Sequence, residues 1–375
     1  MHMLTLTHNN YEEWASSLSF SNNQPRMPLC YALGGAFLEA GHKLAALELT
    51  PKVSLFSDSP FSNIYRREQL SHALDQVDVA LFWGGNAQKA LFSPYLSTAQ
   101  KRKILYLSYF FSTKNLNLKQ RLQSKLLEHL SKKSLGMVFM TCEQALMASN
   151  AIGDAAPIIR FRCGIDTAFY QAELDGDDIA GVDRRRVDQL MEEPYVIMPG
   201  DELRLNQDAL QFVRRTGIRL VRISQYGHKS DTEGMKSAIK RSGLEDRCIV
   251  FENIKYKFLR FLLRHACAYA GFVDSSWQPA GWTVACEALA SGLPIVLYDG
   301  LTSHELFHAG IPSRFVQAVE MGDIRSASDR LAAFANGSPS RSFIMEAMQL
   351  SRQNLDFSIT APIFVDEVTR VLSQS

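Results

Sequence analysis

The feature that most restricts this chain is an alternation. Short runs of apolar residues, often ending in small or turn residues, are separated by stretches with a helical period. Strands buried on both faces of a parallel sheet read as continuous apolar runs, and the crossover helices between them supply the other period. The pattern predicts an α/β fold with strands near 4–7, 44–47, 79–82, 104–107, 137–140 and 158–161, then a second series at 195–198, 219–223, 248–251, 268–273 and 295–298. A helix over 29–40 should close at Gly41, since glycine tolerates a left-handed C-terminal turn. A length of 375 residues is too much for one ordinary core, so two domains are expected.

Between the two series, 171–194 is charged and poor in large apolar residues, which marks a linker with one exposed helix. The organisation read from this is a doubly wound, Rossmann-like domain over 1–170, a linker over 171–194, a second such domain over 195–340, and two closing helices over 341–375. Those helices are expected to break at Thr360-Ala361-Pro362 and to return to brace the first domain. Open α/β sheets bind ligands beyond the carboxyl ends of their strands, and two in tandem set a cleft between those ends.

Forty Lys and Arg against 39 Asp and Glu leave a formal charge of +1, so the chain has no overall field for nucleic acid or another acidic polymer. The balance is uneven: residues 1–170 carry 17 basic and 12 acidic side chains, the remainder 23 and 27. Six cysteines are scattered singly, without a Cys-x-x-Cys pair, and read as buried free thiols in a reducing compartment. The N-terminal residues lack a basic region followed by a long apolar stretch, and no window approaches about 18 apolar residues. A cytoplasmic protein is expected.

The stretch richest in chemistry is 269–304, YAGFVDSSWQPAGWTVACEALASGLPIVLYDGLTSH. A strand ends near Val273, a small-residue loop with Pro279 and Gly281 follows, and a helix over 282–291 is closed by Gly292, with Pro294 opening the next strand. Glu287 is the one charge in that helix, among Val284, Ala285, Cys286, Ala288, Leu289 and Ala290. A buried carboxylate costs several kcal/mol unless donors reach it. Ribose hydroxyls would supply them, and so would a neighbouring backbone amide. The loop enters the helix N-terminus, where free N–H groups and the positive end of the dipole favour an anion such as a diphosphate. Gly281 lets a ligand approach the backbone closely, and the bland alternative is a plain connection.

This segment resembles the C-terminal signature of family-4-type retaining glycosyltransferases of the GT-B fold: a loop glutamate, a Pro-x-Gly turn, and a second glutamate on an Ala-rich helix ending in Gly-x-Pro. Glu287-Ala288-Leu289-Ala290-Ser291-Gly292-Leu293-Pro294 matches its second half. In the same order, 158–170 (IIRFRCGIDTAFY) is similar to the strand, turn and Phe that close the family's first domain. Residues 195–204 (YVIMPGDELR) stand where its second domain has a strand and phosphate loop, and 354–359 resembles its terminal Phe-Ser-Trp region. The likeness covers about 136–310 and the tail.

The resemblance implies two Rossmann-like domains facing across a cleft. The nucleotide-sugar donor, of UDP or GDP type, would lie mainly on 195–340, and a saccharide, lipid-linked or other hydroxyl acceptor on 1–170. No metal or other cofactor is implied. By the same resemblance Glu287 would bind the ribose, while Gly200, Arg204, Gly281, Trp282 and Thr283 would hold the diphosphate and sugar. The catalytic loop position is taken by Gln278, one residue further from Glu287 than the family's glutamate. An amide can exchange hydrogen bonds with sugar hydroxyls, but it is neither a base nor a negative stabiliser. Arg204 replaces the family's basic pair, and a guanidinium forks well onto phosphate oxygens; a solvated loop charge is the other reading. Gly34-Gly35 stands where the family sets a Gly-rich loop against the transferred sugar, although a close helix–strand crossing explains it too. Trp83-Gly84-Gly85-Asn86 is a strand-end turn that meets a ligand or simply turns the chain, and Ser108-Tyr109 replaces an expected histidine.

Three other motifs have plain readings beside functional ones. Asp175-Gly176-Asp177-Asp178 has the D-x-D spacing of a divalent-metal site but ends no strand, so a solvated turn is favoured. His304 and His308, four apart, have no third ligand nearby for zinc. Over 114–133 a basic amphipathic segment carries Leu118, Leu122, Leu126 and Leu130 on one stripe; it is a core face with a solvated back or, on a second reading, peripheral contact with the inner membrane surface. The leading expectation is a glycosyltransferase working with retention of configuration. The alternative is a catalytically silent nucleotide or small-molecule binding protein on the same fold.

Overall fold

The computed structural model describes residues 1–7, 34–48, 61–108, 118–199, 206–224, 229–337 and 339–374. They form two compact units, the first reaching Gly164 and taking back Phe357–Ser375, the second spanning Ile165–Asp356.

In the first unit seven strands, β1 (His2–Thr7), β2 (Lys43–Glu48), β3 (Asn63–Arg66), β4 (Val79–Trp83), β5 (Ile104–Ser108), β6 (Gly136–Phe139) and β7 (Ile158–Arg160), pair in parallel in the order β3-β2-β1-β4-β5-β6-β7. The second holds β8 (Tyr195–Pro199), β9 (Arg219–Ser224), β10 (Cys248–Glu252), β11 (Ala268–Gly271), β12 (Ile295–Tyr298) and β13 (Val316–Val319), in the order β10-β9-β8-β11-β12-β13. Both are doubly wound, Rossmann-like sheets, as the alternation of apolar runs and helices predicts. The strand order reverses beside β1 in one and beside β8 in the other, so the switch points lie between β1 and β4 and between β8 and β11.

Every residue of β5, β8 and β12 is buried, because helices cover both faces of each sheet. Alternate residues share a core: Ala80 and Phe82 of β4 and Ile104 and Tyr106 of β5 pack with Leu74, Leu91 and Leu130 from helices. In the second unit Val196, Met198, Ala268, Ala270, Val296 and Tyr298 do so with Leu210 and Leu331. The two strands absent from the sequence reading, β3 and β13, are edge strands, where one neighbour is missing and residues such as Asn63, Arg66 and Gln317 are tolerated.

Two expectations are corrected. The closing helices are Arg341–Asn354 and Phe357–Gln374, so the break falls at Leu355-Asp356, Pro362 sits inside the second helix, and only that second helix joins the first unit while Arg341–Asn354 stays in the second. The Leu355 carbonyl accepts from the Ile165 N–H at 2.9 Å and the Asp356 carboxylate accepts from Thr167, which diverts the chain there. Pro362 removes one helical N–H, but the stripe Phe357, Ala361, Phe364, Val365, Val368 and Val371 stays buried. Phe364 packs against Phe37 and Phe161, with ring centroids 5.8 and 4.7 Å apart, inside the first unit. The other correction concerns 171–194, which is packed into the second unit. Asp178 and Arg260 form a buried ion pair there, and Val187 and Leu190 of helix Arg184–Met191 are buried.

Candidate functional site

The second sheet's switch point is finished by the loop that leaves β11. Gly271 ends the strand where an added Cβ would lie 2.5 Å from the Leu297 Cβ, so no larger residue fits beside β12. The Asp274 carboxylate accepts from the Ser276 N–H at 2.9 Å and the Ser276 hydroxyl at 2.6 Å, turning the chain. The Leu301 N–H donates to the Ser275 carbonyl at 3.0 Å, and the Thr302 hydroxyl donates to the Ala280 carbonyl at 2.9 Å, so helix Leu301–His308 holds the loop at both ends. Two tight bonds, Ala280 N–H to the Gln278 carbonyl and Trp282 N–H to the Pro279 carbonyl, close the Pro-Ala-Gly turn. Gly281 then enters helix Trp282–Ala290 from the left-handed region, at φ 80°.

That helix is buried from Ala285 to Ala290. It ends as the sequence predicts: Gly292 takes φ 87° and the Leu293 N–H reaches back to the Ala288 carbonyl at 3.0 Å. Glu287 is 5% exposed, and its carboxylate accepts from the Tyr170 hydroxyl at 2.7 Å. Burial pushes the Glu287 carboxyl up to about 7, while the Tyr170 hydrogen bond pulls the other way. Burial and the nearby carboxylate hold the Tyr170 phenol well above its ordinary range. The partner of Glu287 in this structure is thus a phenol, not the backbone amide of the bland reading.

Tyr170 is itself fixed. It lies on helix Thr167–Gln171, capped by the Asp166 carboxylate, and the Gln171 amide donates to the Met348 carbonyl at 2.7 Å. Arg260 donates to the Phe169 carbonyl, stacks over the Phe169 ring at 4.8 Å and pairs with Asp178 at 2.7 Å. Two stretches that the sequence offers separately, 158–170 and 282–294, therefore meet through Tyr170 and Glu287. Sequence reasoning singled out Glu287 but gave Tyr170 no role; the aromatic pair Phe169-Tyr170 following the Gly-Ile-Asp turn is the signal that could have found it.

Of the predicted site residues, Gln278, Gly281, Trp282, Thr283 and Glu287 share this loop and helix. Gln278 and Thr283 are half-buried; Trp282 is buried, so its ring serves packing. Gly200 and Arg204 lie outside the described residues. Gly34 and Gly35 are buried in the first unit, and Gly35 has ordinary right-handed helical angles leading into helix Ala36–Glu39. At Trp83-Gly84 there is no separate turn: helix Gly84–Phe92 begins directly after β4, with Gly84 at φ 53°.

The remaining motifs resolve by their partners. Asp178 faces Arg260, and Lys257 stands 3.6 Å from Asp177, so the D-x-D carboxylates are matched by cations of helix Tyr256–His265, and Asp178 is buried rather than solvated. Among the described residues no group of three or more His, Cys, Asp or Glu is placed to hold a metal. His304 lies 3.1 Å from Asp299, which also accepts from the Ser303 hydroxyl beside the loop. Of the leucine stripe, Leu126 and Leu130 pack in the first unit's core; Leu118 and Leu122 fall outside the described side chains. No described helix is long and apolar enough to cross a membrane.

No family model and no curated protein matches the chain. Solved structures do. Sucrose-phosphate synthase from Thermosynechococcus elongatus superposes with a TM-score of 0.70 at 11% identity over the whole of both chains. Anabaena HepE in complex with UDP-glucose gives 0.68 at 14%, again over both whole chains. The α,α-trehalose 6-phosphate synthase of Burkholderia multivorans gives 0.70 at 11%, covering all of this chain and 99% of that one. At these identities the likeness is one of fold: two Rossmann-like α/β units of the GT-B type.

Proposed function

We propose that this protein is a glycosyltransferase of the family-4 type, moving a sugar from a nucleotide-sugar donor to a hydroxyl acceptor with retention of configuration. The observation that carries the reading is a buried carboxylate, Glu287, on the helix that follows the β11 loop at the second sheet's switch point. A helix N-terminus favours a diphosphate, and a carboxylate in a largely desolvated site accepts from vicinal ribose hydroxyls. The HepE structures hold UDP, UDP-glucose and glucose, which supports a nucleotide sugar as donor for a chain of this fold.

In this mechanism Glu287 orients the ribose with Tyr170 bracing its carboxylate, and the loop from Gln278 to Gly281 lies against diphosphate and sugar. Arg204 adds a cation there. The acceptor hydroxyl attacks the anomeric carbon on the face the diphosphate leaves, and a departing phosphate oxygen takes its proton. Positioning and electrostatic stabilisation do most of this work, so the amide of Gln278 suffices to hold a sugar hydroxyl. Incubation with UDP- and GDP-sugars, following nucleotide release, tests the reading. Slow release without acceptor, faster with one, and an NMR product of unchanged anomeric configuration are expected. Binding without turnover would favour the second reading, a silent binding protein, which Gln278 motivates.

A further inference from the structure

The first unit holds a cavity that no part of the donor site explains. It has a volume of about 280 Å³ and lies between helix Gly84–Phe92 and the chain at Arg67–Leu70. Leu47 near the end of β2 and Phe82 near the end of β4 belong to its apolar lining, with Leu70 and Ala90, and Arg67, Asn86, Lys89, Ser93 and Tyr95 bring polar groups to it. Leu47 and Phe82 are each the last residue but one of their strands, Arg67 directly follows β3, and Asn86 sits in the first turn of the helix after β4. The cavity therefore opens where open α/β sheets bind ligands, at carboxyl strand ends around a switch point.

The charge is one-sided. Both ionisable lining residues other than Tyr95 are cations, no lining residue is acidic, and among the described residues neither Arg67 nor Lys89 has an ion-pair partner. Arg67 offers a planar fork and Lys89 a point charge, the two donors that proteins set on phosphate and carboxylate oxygens. Asn86 can hydrogen-bond hydroxyls in either sense, and Tyr95, 89% exposed, adds an aromatic side chain of the kind that packs on apolar sugar surfaces. The volume is at the lower end for small-molecule sites, enough for one monosaccharide-sized molecule.

From this we infer that the cavity binds a small oxyanion-bearing acceptor, a monosaccharide-sized molecule carrying a phosphate or a carboxylate, held by Arg67 and Lys89. The acceptor role rests on the transferase reading above; the anion site does not.

The test is titration of the full chain with glucose 6-phosphate, glucuronate and glucose, repeated on Arg67→Ala/Lys89→Ala, with UDP, GDP, ADP and TDP titrated into the same preparations. Both substituted residues are exposed, and an unchanged circular dichroism spectrum and thermal melt of the double variant report that the first unit, which carries them, remains folded. Glucose 6-phosphate or glucuronate should bind at least about tenfold more tightly than glucose, and the double variant should lose that difference. A preference for the phosphate identifies a phosphorylated acceptor, and a preference for glucuronate a carboxylated one. Equal binding of all three, or a preference that survives the double substitution, overturns the site. Anion binding that depends on both cations in a chain that binds no nucleotide would overturn the acceptor role and the transferase reading while leaving the anion site standing.

Discussion

Both sheets carry the same order around their switch points, yet the two ends are finished in opposite ways. In the second unit the loop after β11 is tied at Ser275 and Ala280, enters its helix through a left-handed glycine, and delivers a carboxylate that is 5% exposed and hydrogen-bonded to a tyrosine. In the first unit the helix after β4 starts at once, and the neighbouring cavity offers exposed cations over an apolar lining. One end is preorganised and desolvated; the other is open and electrostatic. Topology therefore places both candidate sites, but the chemistry of each is set by how the chain leaves the strand. A buried end responds strongly to single substitutions, whereas an exposed one is altered in binding with little change in stability.

The largest effect is expected at Arg260. Arg260→Ala leaves Asp178 buried without its cation, a loss of about 3–5 kcal/mol, readable as a lowered denaturant midpoint. If the change were under about 1 kcal/mol, the brace around Tyr170 would contribute little and the contrast between the ends would weaken.

Glu287→Gln tests the same end through pH. Because the folded carboxyl titrates near 7 against an ordinary 4.5, the native state holds its proton more tightly than the unfolded chain. Wild-type stability should therefore fall as pH rises from about 4.5 to about 7, by about 3 kcal/mol from this group. The glutamine variant lacks that loss, so its advantage over wild type in thermal melts should grow from pH 5 to pH 8. A gap that stays constant with pH would mean that the carboxyl is not desolvated.

How much of this was legible in the sequence follows from the same contrast. The central strands were, since complete burial demands continuous apolar runs; of the four edge strands, β7 and β10 kept apolar runs and were read, whereas Asn63–Arg66 and Val316–Val319 were not, because one open side relaxes that demand. Glu287 and Gly281 stood out as a lone charge and a lone glycine in their settings. Tyr170 did not, because its role depends on a partner 117 residues away, and the Arg260–Asp178 pair was hidden inside a run that looked like a solvated turn. The break at Leu355-Asp356 was invisible for a similar reason: local sequence points to Pro362, whereas the bonds that divert the chain come from Ile165 and Thr167. The cavity beside Arg67 and Lys89 joins residues from five separate elements and has no motif at all.

Smaller effects complete the comparison. Gly281→Ala must place an alanine at φ 80° and should cost about 1–2 kcal/mol while loosening the helix entry, checked by melting and by protection of the following amides in hydrogen exchange. Arg67→Ala/Lys89→Ala should change stability by less than about 0.5 kcal/mol, because both side chains are exposed. A larger loss would show the first unit's cations to be structural.

The most direct test of the central claim is calorimetric titration with UDP, GDP, ADP and TDP, on wild type and on Glu287→Ala shown to be folded by circular dichroism. The account predicts that one nucleotide binds selectively and that the variant loses it. Binding at wild-type strength in the variant would contradict the assignment of Glu287 to the donor site.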